Sequence, residues 1–218
     1  MDGVTSLFNY IADNFGQVVD LSLQHAVYMV SVMVAATIVG VGIGVWVQDK
    51  PVQKEIALGI ASVFITLPSL ALFTIFIPVV GLGFWSAFIA LFMYALLPIL
   101  RNTVTGLAEV SPAVLESARG MGLTKRERLW KIQLPLAWPV IITGIRVAAL
   151  LTAGIAAIAT LIAGGGLGDF IKDGLANFGF RLAVEKIWTG TLFIILLALI
   201  FDGILGLVRK YTTSPGIR

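Results

Sequence analysis

The sequence predicts an all-α membrane protein with five transmembrane helices, and three observations carry that fold class. Of 218 residues, 58% are hydrophobic and 12% charged, and the mean hydropathy of +0.99 lies outside the range of a soluble domain. Residues 26–47, 56–100 and 147–163 contain no charged side chain, and 187–208 contains only Asp202. About 20 apolar residues suffice to cross a bilayer. The 56–100 run is long enough for two crossings, and Pro78, Gly81 and Gly83 divide it.

Taken in order, residues 1–24 read as an amphipathic segment lying on the membrane, with Leu7, Tyr10, Ile11, Phe15 and Val18 at helical spacing. They lack the basic start and short apolar core of a cleavable signal, so the segment is expected to be retained. The first span is expected over 25–47. It begins at His25, an interfacial residue by position, and carries Gly40 and Gly44 at a spacing that lets helices approach closely. The second, over 55–77, contains Pro68, a candidate kink or gate because proline removes a backbone donor. The third, over 84–100, is expected to end at Pro98 and Arg101. The fourth, over 138–162, has a seam of Ala149, Ala153 and Ala157 suited to a partner helix. Gly164, Gly165, Gly166 and Gly168 then form an outer turn, with Asp169 available to cap a short helix reaching about Asn177. The fifth span covers 187–208, and residues 210–218 form a tail.

Five spans put the termini on opposite sides, and Lys and Arg decide which side is which. Of the 15, eleven (Lys50, Lys54, Arg101, Arg119, Lys125, Arg126, Arg128, Lys131, Arg209, Lys210 and Arg218) fall on one side. Lys172, Arg181 and Lys186 fall on the other, and Arg146 lies inside a span. The N-terminus is therefore expected outside the cell and the central loop, 101–137, in the cytoplasm. The net charge of +3 is a topology signal and not a sign of nucleic-acid binding. With no cysteine, the chain has no disulfide and no thiolate chemistry.

The central loop is too polar for lipid. Ser111 followed by Pro112 is a helix start, a side-chain cap and then a residue preset for the first turn. Val114, Leu115, Ala118 and Met121 share one face of that helix, and Gly120 and Gly122 stop it. Thr124 and Glu127 have the spacing of a capping box opening a second helix, with Leu129, Trp130 and Ile132 on its apolar side and Pro135 helping to close it. Helices this short are marginal alone, so a protein partner is expected to pack on them. A basic loop resting on anionic lipid headgroups is the other reading.

Within that hairpin, Glu116, Ser117, Ala118, Gly122, Ile132, Leu134 and Pro135 match the E-A-A, three residues, G, nine residues, I-x-L-P pattern, with Ser117 in place of Ala. In this the chain resembles the permease subunits of bacterial ABC importers. TLPSLAL, YALLPILRNT, SARGMG, LPLAWPVIITGIR and GGGLGDFI resemble the subgroup importing glycine betaine, carnitine, choline and related osmoprotectants. The resemblance implies the type I ABC importer permease fold over 25–209, in the cytoplasmic (inner) membrane. The first hairpin helix is then the coupling helix, seated on a separate ATPase. Glu116, Ser117, Ala118, Gly122 and Leu123 would make that contact, with Ala118 fitting closely against the ATPase and Gly122 allowing the turn. The implied partners are two ATPases, a second permease subunit, identical or related, an external solute-binding protein and membrane lipid. This chain would bind no cofactor and no metal and have no catalytic residue, with ATP and Mg held by the ATPase. It contains no G-x-x-x-x-G-K-[ST] loop. An importer of another small solute such as an amino acid, an ATP-independent channel or transporter, and an intramembrane enzyme are the alternatives. The last lacks a catalytic constellation.

Two ionisable residues, Arg146 and Asp202, fall inside spans, where each costs about 2.5–3.5 kcal/mol on insertion scales. Both lie seven residues, about 10 Å, from the cytoplasmic end. They are expected to pair or share a wet environment, the alternative being Arg146 snorkelling alone.

Overall fold

The structure, a computed structural model, describes residues 3–213, in which every regular element is a helix. Met1, Asp2 and residues 214–218 of the predicted tail, Arg218 included, lie outside it. In chain order the helices are α1 (Gly3–Asp13), α2 (Phe15–Val47), α3 (Pro51–Thr66), α4 (Ser69–Ile75), α5 (Ile77–Val80), α6 (Phe84–Ala108), α7 (Pro112–Gly120), α8 (Lys125–Arg128), α9 (Leu134–Ala156), α10 (Gly168–Ala176) and α11 (Ala183–Thr212). A π turn (Leu129–Gln133) joins α8 to α9, and a 3₁₀ turn (Ala157–Ile162) follows α9. Four of these rods are long and apolar enough to cross a membrane. A fifth crossing exists if α3 and the α4–α5 pair, bent by 104° from it, count as one.

Several boundaries differ from the sequence expectation. The predicted 1–24 segment divides at Asn14, whose side-chain amide donates to the Tyr10 carbonyl at 2.8 Å. Residues 15–24 belong to the 33-residue α2, because nothing between Phe15 and His25 interrupts a helix. α1 lies against α11, where the Ser6 hydroxyl donates to the Glu185 carboxylate. Tyr10 and Val18 from its predicted apolar face are buried, Tyr10 meeting Phe170 edge-on at 6.3 Å.

Prolines account for the other differences. Pro68 does more than bend a helix. Leu67 and Pro68 both take extended ψ values, 141° and 133°, so α3 ends and α4 begins in a new direction. Pro98, expected at a terminus, sits inside α6, which runs on to Ala108. Pro135 likewise fails to close the second hairpin helix. The Leu134 amide reaches back five residues to the Leu129 carbonyl. This wider turn makes room for the next residue's ring, so the hairpin helix continues into α9 as one 38-residue rod, Lys125–Ile162.

α6 is the central helix and owes its position to small residues on its neighbours. A Cβ on Gly40 would sit 2.8 Å from the Ile99 Cγ2, and one on Gly44 2.5 Å from the Thr103 Cγ2, so α2 and α6 meet at nearly backbone distance. Gly144 brings α9 equally close, to the Pro98 carbonyl. Ala149 and Ala153 of the predicted seam are buried inside the chain and face α2, where the His25 Nε2 lies 3.0 Å from the Ala153 carbonyl.

Candidate functional site

The hairpin begins at Ser111, whose expected side-chain cap is not made. Its carbonyl receives the amides of Val114 and Leu115, and Pro112 occupies the first turn as predicted. Ser117 turns its hydroxyl back onto the Ala113 carbonyl at 2.9 Å. α7 then closes in a double backbone link: the Leu123 amide donates to the Ala118 carbonyl at 3.1 Å and the Gly122 amide to the Arg119 carbonyl at 2.9 Å. This arrangement requires a left-handed residue between them, and Gly122 has φ +83°. The Arg128 guanidinium donates to the Leu123 carbonyl at 2.9 Å, satisfying the turn from the far side.

The capping box is formed. The Thr124 amide donates to the Glu127 carboxylate at 3.0 Å, and the Glu127 amide to the Thr124 hydroxyl at 3.3 Å. Lys131, one turn on, pairs with Glu127 at 3.0 Å. The backbone amide of Thr124 first, and then Lys131, hold the Glu127 carboxyl down to about 2. Lys125 reaches out of the hairpin to Asp49 at 2.8 Å, tying it to the turn between α2 and α3. Sequence reasoning missed Asp49, although its place in the short charged turn after the first span already put it on the hairpin's side.

What the hairpin leaves open matters as much. Val114 is 41% and Met121 71% exposed, an apolar patch with no cover among the described residues. Glu116 is exposed and makes no hydrogen bond or ion pair among the described residues. It edges a cleft of about 370 Å³ shared with Asp49, Arg119 and Lys125. Ala118 departs from its expected role. It is fully buried by the chain itself, so it packs the hairpin's interior and has no surface to offer an ATPase. Leu123, Ile132 and Leu134 are half-buried, and Pro135 is exposed.

Deeper in the membrane the two predicted charges meet. The Arg146 Nε and Nη2 donate to the two Asp202 carboxylate oxygens at 2.7 and 2.6 Å, a two-pronged bridge from α9 to α11.

At the far end of the rod the predicted turn is present, with Gly165 and Gly166 at φ +75° and +91°. Asp169 is not the cap. Leu167 holds that position without a side-chain bond, and Asp169 sits in the first turn of α10, paired with Lys172 at 2.8 Å. Three residues of α2 grip the loop. The Tyr28 hydroxyl donates to the Gly164 carbonyl at 2.6 Å, Gln24 accepts from the Gly166 amide at 3.2 Å, and His25 lies against Gly166. His25 is therefore buried within the chain, with its Nδ1 unpartnered among the described residues. No motif spacing links these residues to a loop about 140 positions away, so local pattern carries no signal for the grip.

These features fit one family over almost the whole chain. Residues 26–213 match the family described as binding-protein-dependent transport system inner membrane component. The osmoprotectant import permease protein OsmW of Salmonella typhimurium is 37% identical, over 96% of this chain and 98% of that protein. The choline transport system permease protein OpuBB of Bacillus subtilis is 35% identical over 97% and 96%. The glycine betaine/carnitine/choline transport system permease protein OpuCB of Bacillus subtilis is 34% identical over 99% and 97%. In fold, the chain superposes on a chain of the inward-facing MetNI methionine ABC transporter with a TM-score of 0.77, covering 90% of this chain and 96% of that one at 20% identity. The chain thus belongs to the binding-protein-dependent transport system inner membrane components, as a permease subunit of an ABC importer whose ATPase is a separate polypeptide.

Proposed function

We propose that this permease carries quaternary-ammonium osmoprotectants such as glycine betaine, carnitine or choline into the cell, driven by two ATPase subunits that grip its hairpin. The observation that carries the coupling is the join between hairpin and membrane. α8 runs without interruption through the π turn into α9, so a push on α7 moves a rod that reaches the outer surface. The exposed Val114, Met121 and Glu116 give an ATPase groove both apolar surface and an unpaired charge to hold. The substrate class is supported by relatives named for osmoprotectants, choline, carnitine and glycine betaine over nearly their full lengths.

A second permease subunit completes the path, an external binding protein delivers the solute, and ATP and Mg sit on the ATPase. The N-terminus faces outward and the hairpin and C-terminus the cytoplasm, which the eleven-to-three division of cationic residues supports. The outer loop and α10 then form the surface on which the binding protein docks.

The test is co-purification with the ATPase and ATP-driven uptake of glycine betaine. A Cβ at Gly122 meets nothing within 4 Å, so Gly122→Ala costs only its backbone strain, about 1–2 kcal/mol, confined to the turn. The expected result is an inserted subunit with impaired uptake. Glu116→Ala is expected to weaken retention of the ATPase. Unchanged uptake and co-purification in both variants would refute the coupling.

A further inference from the structure

The second crossing breaks partway through the membrane and leaves backbone groups that the chain does not satisfy. In an unbroken helix the carbonyls of Ile65 and Thr66 would receive the amides of Ser69 and Leu70. Here neither carbonyl accepts a hydrogen bond among the described residues. The Leu67 carbonyl is met by the Tyr94 hydroxyl at 2.6 Å. Tyr94 lies ten residues into α6 from Phe84, which places the break about 15 Å below the outer end of that helix.

Apart from Tyr94, the described residues leave the break open. Thr66 and Pro68 are exposed, and Leu67 and Leu70 are 39% and 45% exposed. Irregular backbone is not tolerated against lipid at this depth, because each unsatisfied group there costs several kcal/mol; it occurs only where protein or a water-filled cavity meets it. In an importer permease the water-filled cavity at mid-membrane is the route of the solute. The C-terminal carbonyls of a helix carry about half a negative charge between them, and broken helices use such ends to receive cations. No acidic side chain competes for that role, since residues 56–100 contain none and Asp202 is held by Arg146. Ile65, Leu67 and Leu70, at or next to these carbonyls in sequence, carry exposed apolar side chains. A methylated ammonium, cationic yet unable to donate a hydrogen bond, suits such a mixed surface.

We propose that the α3–α4 break lines the solute path, and that the carbonyl oxygens of Ile65 and Thr66 form a transit site for the quaternary ammonium group. The assignment rests on the substrate class proposed above. The attraction comes from partial charges alone, which favours entry without trapping the solute.

The test uses the natural absence of cysteine in this chain. Thr66→Cys and Ser69→Cys are introduced separately into the assembled importer, with its other subunits cysteine-free, in proteoliposomes. The probe is 2-(trimethylammonium)ethyl methanethiosulfonate, which reacts with thiolates in water and itself carries the quaternary head. Labelling is expected at both positions in at least one of the nucleotide-free and ATP-bound states. Glycine betaine should slow it by the factor 1 + [L]/Kd, about tenfold at ten times the dissociation constant. In an importer that takes up glycine betaine, absence of labelling at both positions in both states overturns the path. Labelling indifferent to glycine betaine overturns the transit site. Labelling in an importer that moves no quaternary ammonium solute refutes the substrate class, and the ammonium assignment with it, while the wet break stands.

Discussion

The two ends of the rod formed by α8, the π turn, α9 and the 3₁₀ turn are built on opposite plans. At one end, the hairpin is held mainly by residues close in sequence: Thr124 with Glu127, Glu127 with Lys131, Ala118 with Leu123, Leu123 with Arg128. Its surface is left open, and one ion pair, Lys125 with Asp49, ties it to the membrane domain. At the opposite end, by the glycine loop, the bonds are long-range. Gln24 and Tyr28 reach across to Gly164 and Gly166, and α10 is pressed between the 3₁₀ turn and α11. A module held together by its own neighbours can move as a body and keep its shape, whereas one held by distant elements moves only if they move too. On the coupling proposed above, the motor's stroke enters at the locally built end and is resisted at the other.

The largest expected effect comes from adding one methyl group at each end. A Cβ on Gly168 would lie 2.0 Å from the Ala157 carbonyl oxygen, where only a shift of backbone could make room, while a Cβ on Gly120 meets nothing within 4 Å. Gly168→Ala is expected to destabilise the protein by about 3 kcal/mol or more. Gly120→Ala, at the last helical residue of α7, should be neutral or slightly stabilising. Thermal unfolding in detergent checks both. Equal effects at the two positions would erase the contrast.

The same contrast explains what could be read from the sequence. The capping box and the Gly122 turn were legible because each is fixed within a few residues. The depth match of Arg146 and Asp202 was also legible, because a charge in lipid needs a partner and helix rise sets where that partner must sit. Pro98 and Pro135 were not legible in this way, since a proline within a helix and one at its end look alike in sequence. A proline leaves one carbonyl a turn earlier without its donor, and a helix runs on where a local adjustment accommodates the ring; here the turn widens before Pro135, the Leu134 amide reaching the Leu129 carbonyl. The burial of Ala118 and His25, and the ties of Asp49 and Tyr94, depend on which distant element arrives beside them. Periodicity does not encode that.

A smaller effect is expected midway along the rod, where the Arg146–Asp202 bridge joins it to α11. Each side chain is about a quarter to a third exposed. Asp202→Ala leaves a guanidinium without its counter-charge and is expected to cost about 2–3 kcal/mol, below the figure for a fully buried pair. The double variant Arg146→Met, Asp202→Leu removes both charges and should recover most of that loss, because the cost lies in the orphaned charge more than in the missing bond. In transport, Arg146→Ala and Asp202→Ala should each impair uptake, with the double alanine variant no worse than either. Additive losses would mean that the two residues act independently.

The smallest effect belongs to the hairpin and appears as a pH dependence. The Glu127 carboxyl is held at about 2, against an ordinary value of 4.5, by the Thr124 amide and then by Lys131. A carboxyl lowered on folding binds its proton less readily in the folded hairpin than in the unfolded one. Its contribution to stability is therefore complete above about 4.5, declines as the pH falls below that, and is gone once the folded group protonates near 2. Between pH 8 and pH 5 the amide protection of residues 124–128 should show no change from this group. Glu127→Gln keeps an acceptor for the Thr124 amide but loses the charge that engages Lys131, so its protection should be modestly lower across that range. Wild type and variant should converge only as the pH approaches 2. Hydrogen exchange on the assembled complex at pH 7 and pH 5 distinguishes the cases: a wild-type hairpin that loosens between these values is held by some group other than Glu127, and the self-contained cap would no longer account for its rigidity.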